Sequence, residues 1–191
     1  MIEKEIKYIN FNVPFYPGVD VVFTNYFKTI ENTDQEIIPI KINSPGGYVT
    51  VLQAILDIID SSKKPVATFC TGMAASCGAA LFLSGTDGFR YVGPNSRLMI
   101  HQVSGIAWGK TSDVESELKL MKQMTSDFVY KRGDLACKKE GYTYNLIKEN
   151  MNSDLWLSSD ECIDHGYADK IGVLENIKDD DFYQNMLKIV Q

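Results

Sequence analysis

The feature that most constrains the fold of this chain is a segment of small residues at 72–78, with the sequence GMAASCG. A strand-like apolar run at 66–70 precedes it, and a helix-like apolar run at 79–83 follows it. Small side chains permit a tight turn from strand to helix, and such a turn projects its central side chain beside the unpaired amides that begin the helix. We therefore expect Ser76 to present its hydroxyl outward at this turn.

Strand-like and helix-like patterns alternate through the first half of the chain. Apolar alternation or short apolar runs predict strands at 6–11, 37–42, 66–70, 88–92 and 96–101. Apolar residues at helical spacing predict helices at 19–30, 51–60 and 76–84. This order predicts an α/β fold with a mainly parallel sheet covered by helices.

The second half of the chain is predicted to be more helical. A sequence typical of a capping box at 112–115 begins a helix that we expect to run from about 111 to 139, or roughly 40 Å at 1.5 Å per residue. We expect this long helix to project or to contact another subunit, through an apolar stripe of Val114, Leu118, Met121, Met124, Phe128 and Leu135. Shorter helices are predicted at 144–151, 158–166 and, in the acid-capped tail, 179–190. The whole chain, residues 1–191, is predicted to be a single domain.

Composition excludes several classes of partner. The 191 residues carry a formal net charge of −6, which argues against nucleic acid, because phosphate binding needs clustered Lys and Arg. The four cysteines form no CxxC pair and no metal-ligand pattern with histidine, so we expect free thiols in a reducing cytoplasm, without a metal or cofactor. No apolar run approaches the roughly 20 residues of a membrane span, and the N-terminus lacks the order of a signal peptide.

One serine and one histidine are candidates for catalysis. Ser76 becomes a nucleophile only if a base takes its proton and donors stabilise the oxyanion. His101, at the end of a predicted strand, is the candidate base, and the amides of Gly47 and Cys77 are the candidate donors. Each feature also has a plain structural interpretation: a helix N-cap for Ser76, a β-turn for the SPGG sequence at 44–47, and a strand-end residue for His101. Periodicity alone does not bring these residues together.

Three motifs resemble the proteolytic subunit of the caseinolytic (Clp) protease, a serine peptidase family. They are INSPGG at 42–47, AASCG at 74–78 and PNSRLMIHQ at 94–102, in that order and without insertions between them. The resemblance extends from about residue 5 to residue 173. It implies a crotonase-like α/β fold of repeated strand-helix units, with a long projecting helix.

The resemblance also assigns catalytic roles to particular residues. It implies that Ser76 is the nucleophile, that His101 is the general base and then acid, and that the amides of Gly47 and Cys77 form the oxyanion hole. Asp154, in the sequence DLWLS, matches the carboxylate that completes a Ser-His-Asp triad and fixes the imidazole tautomer. The implied activity is that of an endopeptidase acting on peptides and unfolded proteins, without a cofactor.

The other histidine, His165, stands where the family usually has an aromatic residue, beside a predicted helix end. A cationic side chain at the C-terminus of a helix is stabilised by the helix dipole. We therefore expect a structural role for His165 rather than a catalytic one.

The resemblance implies homo-oligomeric rings in the form of stacked heptamers, with the long helix and the loop at 104–110 between the rings. It also implies a Clp-type ATPase unfoldase as a possible partner, but several departures argue against docking of a generic one. The N-terminal segment before residue 5 is short, and Lys41 places an unpaired cation where an apolar contact would be buried. Compared with the family, Ser153 stands in place of an arginine that pairs across rings, and Val103 stands in place of a proline. About four extra residues lie between His101 and Asp154.

Two other functions fit parts of this pattern. An acyl-CoA hydratase or isomerase of the same fold would use two oxyanion amides but no Ser-His pair, so His101 argues against it. A catalytically silent ring subunit would serve as a scaffold for an active relative, yet Ser76, His101 and Asp154 are all present. A fluorophosphonate probe, which labels activated serines, distinguishes both from a peptidase.

Overall fold

The computed structural model describes residues 6–150 and 154–176. Seven strands are defined among these residues: β1 Ile9–Phe11, β2 Ile38–Ser44, β3 Val66–Ala75, β4 Arg90–Val92, β5 Arg97–Ile100, β6 Leu155–Leu157 and β7 Lys170–Ile171. The helices are α1 Val19–Glu31, α2 Val49–Asp60, α3 Cys77–Leu83, α4 Thr111–Thr125, α5 Lys131–Cys137, α6 Tyr142–Glu149 and α7 Ser159–Asp164. A π-turn at Ser126–Tyr130 joins α4 to α5, and a 3-10 turn covers Leu174–Asn176.

The strands form one mainly parallel sheet. Strands β1, β2, β3, β4 and β7 are successive neighbours and pair in parallel. Strand β5 pairs in parallel with the end of β3, and β6 pairs antiparallel with β5. Helices α1, α2 and α3 bury apolar faces in the main core with this sheet. The predicted α/β class is therefore confirmed, and α1, α2 and α3 begin and end within two residues of their predicted positions.

Strand β3 is longer than the sequence predicts. The strand predicted at 66–70 continues to Ala75, so the predicted small-residue turn at 72–78 is wrong for its first four residues. The reason is a change of partner along the strand. The first half of β3 pairs with β4, whereas Met73–Ala75 pairs with Arg97–Met99 of β5. The turn itself is reduced to Ser76, between β3 and α3.

A second, smaller apolar cluster contains the stacked rings of Phe69 and Tyr91, whose centroids are 4.7 Å apart. Leu174 is buried in this cluster. Lys41, which pairs in register with Phe69, forms an ion pair with the carboxylate of Glu175. The expectation of an unpaired cation at Lys41 is therefore wrong, because the chain itself supplies the counter-charge.

The long helix predicted at about 111–139 is observed as one helical run from Thr111 to Cys137, interrupted by the π-turn. In a π-turn the backbone N–H bonds to the fifth preceding carbonyl, as Lys131 does with Ser126. Among the residues described for α4, Thr125 is the one that is buried, so most of this helix projects from the body.

The remaining predictions concern the tail helix and membrane-spanning segments. The tail helix predicted at 179–190 lies outside the described residues. In the part of the chain that the structure describes, no helix is both long enough and apolar enough to cross a membrane.

Candidate active site

Ser76 occupies a strained backbone conformation between β3 and α3. Its φ is +55° and its ψ is −118°, in a region that non-glycine residues rarely adopt. The N–H of Ser76 donates a hydrogen bond to the carbonyl oxygen of Met99, 3.0 Å away, which ties the turn to β5. This conformation lifts the side chain out of the strand at the start of a helix, as the sequence predicts.

His101 follows β5 directly and lies beside Ser76. Because Ala75 at the end of β3 pairs with Met99 of the parallel strand β5, both chain ends emerge at the same edge of the sheet. The Nε2 atom of His101 is 2.8 Å from Oγ of Ser76, within hydrogen-bonding distance. The parallel pairing of β3 with β5 thus places a base next to the hydroxyl.

The loop at 44–47 is fixed by backbone hydrogen bonds. The N–H of Phe15 donates to the carbonyl of Gly46 over 2.9 Å, and the N–H of Tyr48 donates to the carbonyl of Phe15 over 2.8 Å. Gly47 has a φ of +147°, and a methyl group added there would lie 2.6 Å from the carbonyl oxygen of Phe15. Only glycine fits at this position without moving the loop.

A cavity of about 60 Å³ lies beside Ser76 and His101. Gly47 and Cys77, the two predicted oxyanion residues, also line it, so the structure brings four of the predicted site residues around one space. Its other lining residues are Val49, Leu52, Ala80, Val103, Ser104, Phe128 and Val129. The space beside Ser76 is therefore lined by both polar and apolar side chains.

Asp154 reaches the site through β6. Leu155, the first residue of β6, pairs antiparallel with Ile100 of β5, so the residue before it lies beside His101. The Oδ1 atom of Asp154 is 3.6 Å from Nδ1 of His101, and the Asp154 side chain is 57% exposed. This separation is within ion-pair range but longer than a hydrogen bond, so Asp154 is close to the imidazole without holding it firmly.

The thiol of Cys77 also faces this region. Its Sγ donates to the carbonyl oxygen of Gly47 over 3.2 Å, and the residue is buried. Burial raises the pKa of the Cys77 thiol, with opposing contributions from its hydrogen bonds to Gly47 and Ser76. A thiol with a raised pKa is less ionised at neutral pH and is therefore a poorer nucleophile than an ordinary cysteine.

His165 lies apart from the cavity described above. It is the C-cap residue of α7, and its Nδ1 is 2.7 Å from the hydroxyl of Tyr142. This position agrees with the predicted structural role at a helix end.

The sequence did not identify the contribution of the π-turn. Phe128 was assigned to a stripe for subunit contacts, but it lines the cavity together with the adjacent Val129. The wider winding of the π-turn allows two successive residues to face one side, which an α-helical pattern does not predict. One exception to the apolar stripe was visible in the sequence. Thr125 is polar, although helical spacing places it in the stripe between Met121 and Phe128.

Taken together, these positions provide a hydroxyl, an adjacent imidazole, a nearby carboxylate and a glycine-lined cavity, the set of groups that acyl transfer through a serine requires. A comparison with known protein families shows a match to the model of the Clp protease family over residues 22–175. The matched range covers most of the chain and includes every predicted site residue.

Proposed function

The chain belongs to the Clp protease family, which supports a peptidase role, and we propose that it is a serine-type endopeptidase hydrolysing bonds in peptides and unfolded proteins. The observation that carries the proposal is the 2.8 Å separation between Oγ of Ser76 and Nε2 of His101 at a strained strand-to-helix turn. A serine hydroxyl becomes nucleophilic when a base within hydrogen-bonding distance takes its proton.

In the proposed mechanism, Nε2 of neutral His101 accepts the Ser76 proton as Oγ attacks the carbonyl carbon of the scissile bond. The carbonyl π electrons move onto its oxygen and form an oxyanion. The imidazolium then donates its proton to the leaving amine as the C–N bond breaks, which leaves an acyl ester on Ser76. Water, deprotonated by His101, cleaves this ester and restores the serine hydroxyl.

Two backbone amides are proposed to stabilise the oxyanion. Cys77 is the first residue of α3, so its N–H belongs to the first turn, whose amides have no partner within the helix. Gly47 lies across the same cavity, on the loop held by Phe15. Preorganised donors of this kind stabilise developing negative charge without reorganising during the reaction.

Asp154 is proposed as the third member of the triad. A carboxylate near Nδ1 favours the tautomer with a hydrogen on that nitrogen and stabilises the imidazolium. Because the present distance is 3.6 Å, the carboxylate needs to approach Nδ1 by less than 1 Å to form a hydrogen bond.

The Clp protease family generally forms oligomeric rings, and we propose that this chain assembles into stacked homo-oligomeric rings through α4 and the loop before it. Ile106 and Trp108 in that loop are 93% and 88% exposed. Apolar side chains at such exposure are typical of protein interfaces. We further propose a cytoplasmic location, because the four cysteines are free and buried, as in reducing compartments.

A fluorophosphonate probe tests the proposed function, since it reacts with a serine only when the serine is activated. We expect the wild-type protein to gain the mass of one probe minus HF per chain, because Ser76 displaces fluoride, and to hydrolyse short fluorogenic peptides. The Ser76→Ala variant removes one oxygen and is expected to lose both reactions while it keeps its circular dichroism spectrum and oligomeric mass. A wild-type protein that neither reacts with the probe nor cleaves peptides would instead indicate a hydratase or isomerase, or a silent ring subunit.

A further inference from the structure

Thr125 connects the projecting helix α4 to the segment that follows His101. It is 5% exposed, and its hydroxyl takes part in two hydrogen bonds. Oγ1 donates to the carbonyl of Met121 over 2.8 Å and accepts from the backbone N–H of Val103 over 3.0 Å. One hydroxyl therefore joins two segments that are more than twenty residues apart in the chain.

Of these two hydrogen bonds, the one that Thr125 accepts from Val103 is unusual. Threonine inside a helix often returns its hydroxyl hydrogen to the carbonyl four residues earlier, as Thr29 of α1 does with Asn25 over 2.7 Å. A hydroxyl has one hydrogen and two acceptor lone pairs, so donating to that carbonyl leaves acceptor capacity. Thr125 uses this capacity to bind Val103, which belongs to a different part of the fold.

The segment that Thr125 binds is irregular backbone. Residues 101–108 belong to no helix or strand. Next to the Thr125–Val103 bond, the side chain of Gln102 is hydrogen-bonded to the hydroxyl of Tyr130 at the end of the π-turn. The two residues that follow His101 are thus both attached to the long helical run.

We propose that Thr125 is a positioning residue for His101, an inference that rests on the proposed role of His101 as the general base. Asp154 is 3.6 Å from Nδ1, too far to fix the imidazole by a hydrogen bond. The direction of the imidazole then depends on where the backbone leaves β5, and the Val103 N–H bond to Thr125 fixes that path together with the contact of Gln102. Loss of this bond allows the imidazole to move away from Oγ of Ser76.

The substitution Thr125→Val tests the hydroxyl at almost constant volume. It leaves the N–H of Val103 without this acceptor. Because a displacement of about 1 Å at a reacting group can cost about a hundredfold in rate, we expect kcat for a short peptide to fall ten- to hundred-fold. We expect KM to change less than kcat does, since Thr125 itself does not line the cavity.

Two further variants separate positioning from general destabilisation. Thr125→Ser retains the oxygen and is expected to keep at least about half of the wild-type kcat, although it loses a methyl group. Thr29→Val removes the same type of intrahelical bond from α1, where the side chain is exposed, and is expected to leave kcat unchanged. The oligomeric mass of each variant is measured by native mass spectrometry, so that kcat is compared at equal assembly.

Two results would overturn the inference while leaving the proposed function intact. One is a Thr125→Val protein with kcat within about twofold of wild type. The other is a Thr125→Ser protein as slow as Thr125→Val, which would show that keeping the hydroxyl does not keep kcat. An unlabelled, inactive wild-type protein would overturn the proposed function instead.

Discussion

Gly46 lies against Ser76 so closely that no side chain fits between them. A methyl group added to Gly46 would lie 2.6 Å from Cβ of Ser76 and 2.8 Å from the carbonyl oxygen of Ala75. Gly46 also has a φ of +98°, and its carbonyl accepts from Phe15. The glycine loop therefore serves as the surface against which the strained turn at Ser76 is packed.

We predict that Gly46→Ala inactivates the enzyme by displacing Ser76 from His101. The clash involves a Cβ atom and a backbone carbonyl, which cannot rotate away as a flexible side chain can. The expected loss is about a hundredfold in kcat/KM, measured with a fluorogenic peptide, because the nucleophile leaves its reacting position.

Gly88→Ala is the matched control for this prediction. Gly88 has a similar positive φ of +84°, but a methyl group added there would have no atom within 4 Å. The Gly88→Ala variant therefore has only the conformational cost of a positive φ, about 1 kcal/mol. We expect Gly88→Ala to lower the midpoint of thermal unfolding slightly and to leave kcat unchanged. Equal losses of activity in the two variants would mean that backbone conformation, and not the contact with Ser76, explains the effect.

Much of this site was predictable because it depends on local patterns. The apolar runs at 66–70 and 79–83 predicted a strand before Ser76 and a helix after it, and both are observed, although the strand continues through 72–75, where a turn was predicted. His101 was predicted at a strand end and lies there. The pairing of these two elements was not predictable from periodicity, since it depends on β3 changing partner from β4 to β5. The motifs of a known family supplied that information.

The features that were missed have no signal in the local sequence pattern. A π-turn differs from an α-helix by one hydrogen-bond step, and the residues at 126–130 carry no sequence signal for it. The ion pair of Lys41 with Glu175 joins residues 134 positions apart in the chain. Such contacts are set by tertiary packing, which a pattern of single residues does not encode.

Cys77 is predicted not to be the nucleophile, although it adjoins Ser76. Its pKa is raised by burial, so its thiolate fraction at neutral pH is lower than that of an ordinary cysteine. We expect Cys77→Ala to retain at least about a third of the wild-type kcat, because its backbone N–H is kept. Alkylation by iodoacetamide, followed by intact mass, is expected to be slow at neutral pH and to accelerate only in alkaline solution. Loss of activity in Cys77→Ala together with an active Ser76→Ala would reverse the assignment.

Asp154→Asn is predicted to reduce kcat by at least about a hundredfold, because an amide neither favours the reactive tautomer of His101 nor stabilises the imidazolium. The far-ultraviolet circular dichroism spectrum is expected to stay unchanged, since the side chain is mostly exposed. Asp160→Asn and Asp164→Asn are the controls on the neighbouring helix α7, and a severe loss in either, with an active Asp154→Asn, would place the third member there.

The exposed loop before α4 is predicted to hold two rings together. Ile106→Ser combined with Trp108→Ser removes the two most exposed apolar side chains of that loop. We expect native mass spectrometry to show half the wild-type mass, because the contact between rings is lost while each ring remains. Val21→Ser removes an exposed apolar side chain from α1 and is expected to leave the mass unchanged. A wild-type protein that is strictly monomeric at micromolar concentration would contradict the proposed assembly.

The last prediction concerns the face of the sheet that carries Lys41, which we propose as the surface that an apolar loop of a Clp ATPase would meet. The Lys41 side chain is 25% exposed and paired with Glu175, and Leu174 is buried against the Phe69–Tyr91 stack. An apolar loop would have to displace Leu174 and remove an ion pair from water, which costs several kcal/mol. We therefore predict that this protein cleaves short peptides without ATP and is not stimulated by a generic Clp ATPase.

Degradation of a tagged, stably folded substrate, with and without a Clp ATPase and ATP, measures this directly. The double variant Lys41→Leu/Glu175→Gln removes both charges and is expected to gain measurable stimulation, because docking then no longer removes an ion pair from water. Lys28→Leu/Glu31→Gln removes a comparable ion pair from α1 and is expected to gain none. Robust ATP-dependent degradation by the wild-type protein would show that docking tolerates the Lys41–Glu175 pair, and would contradict the prediction.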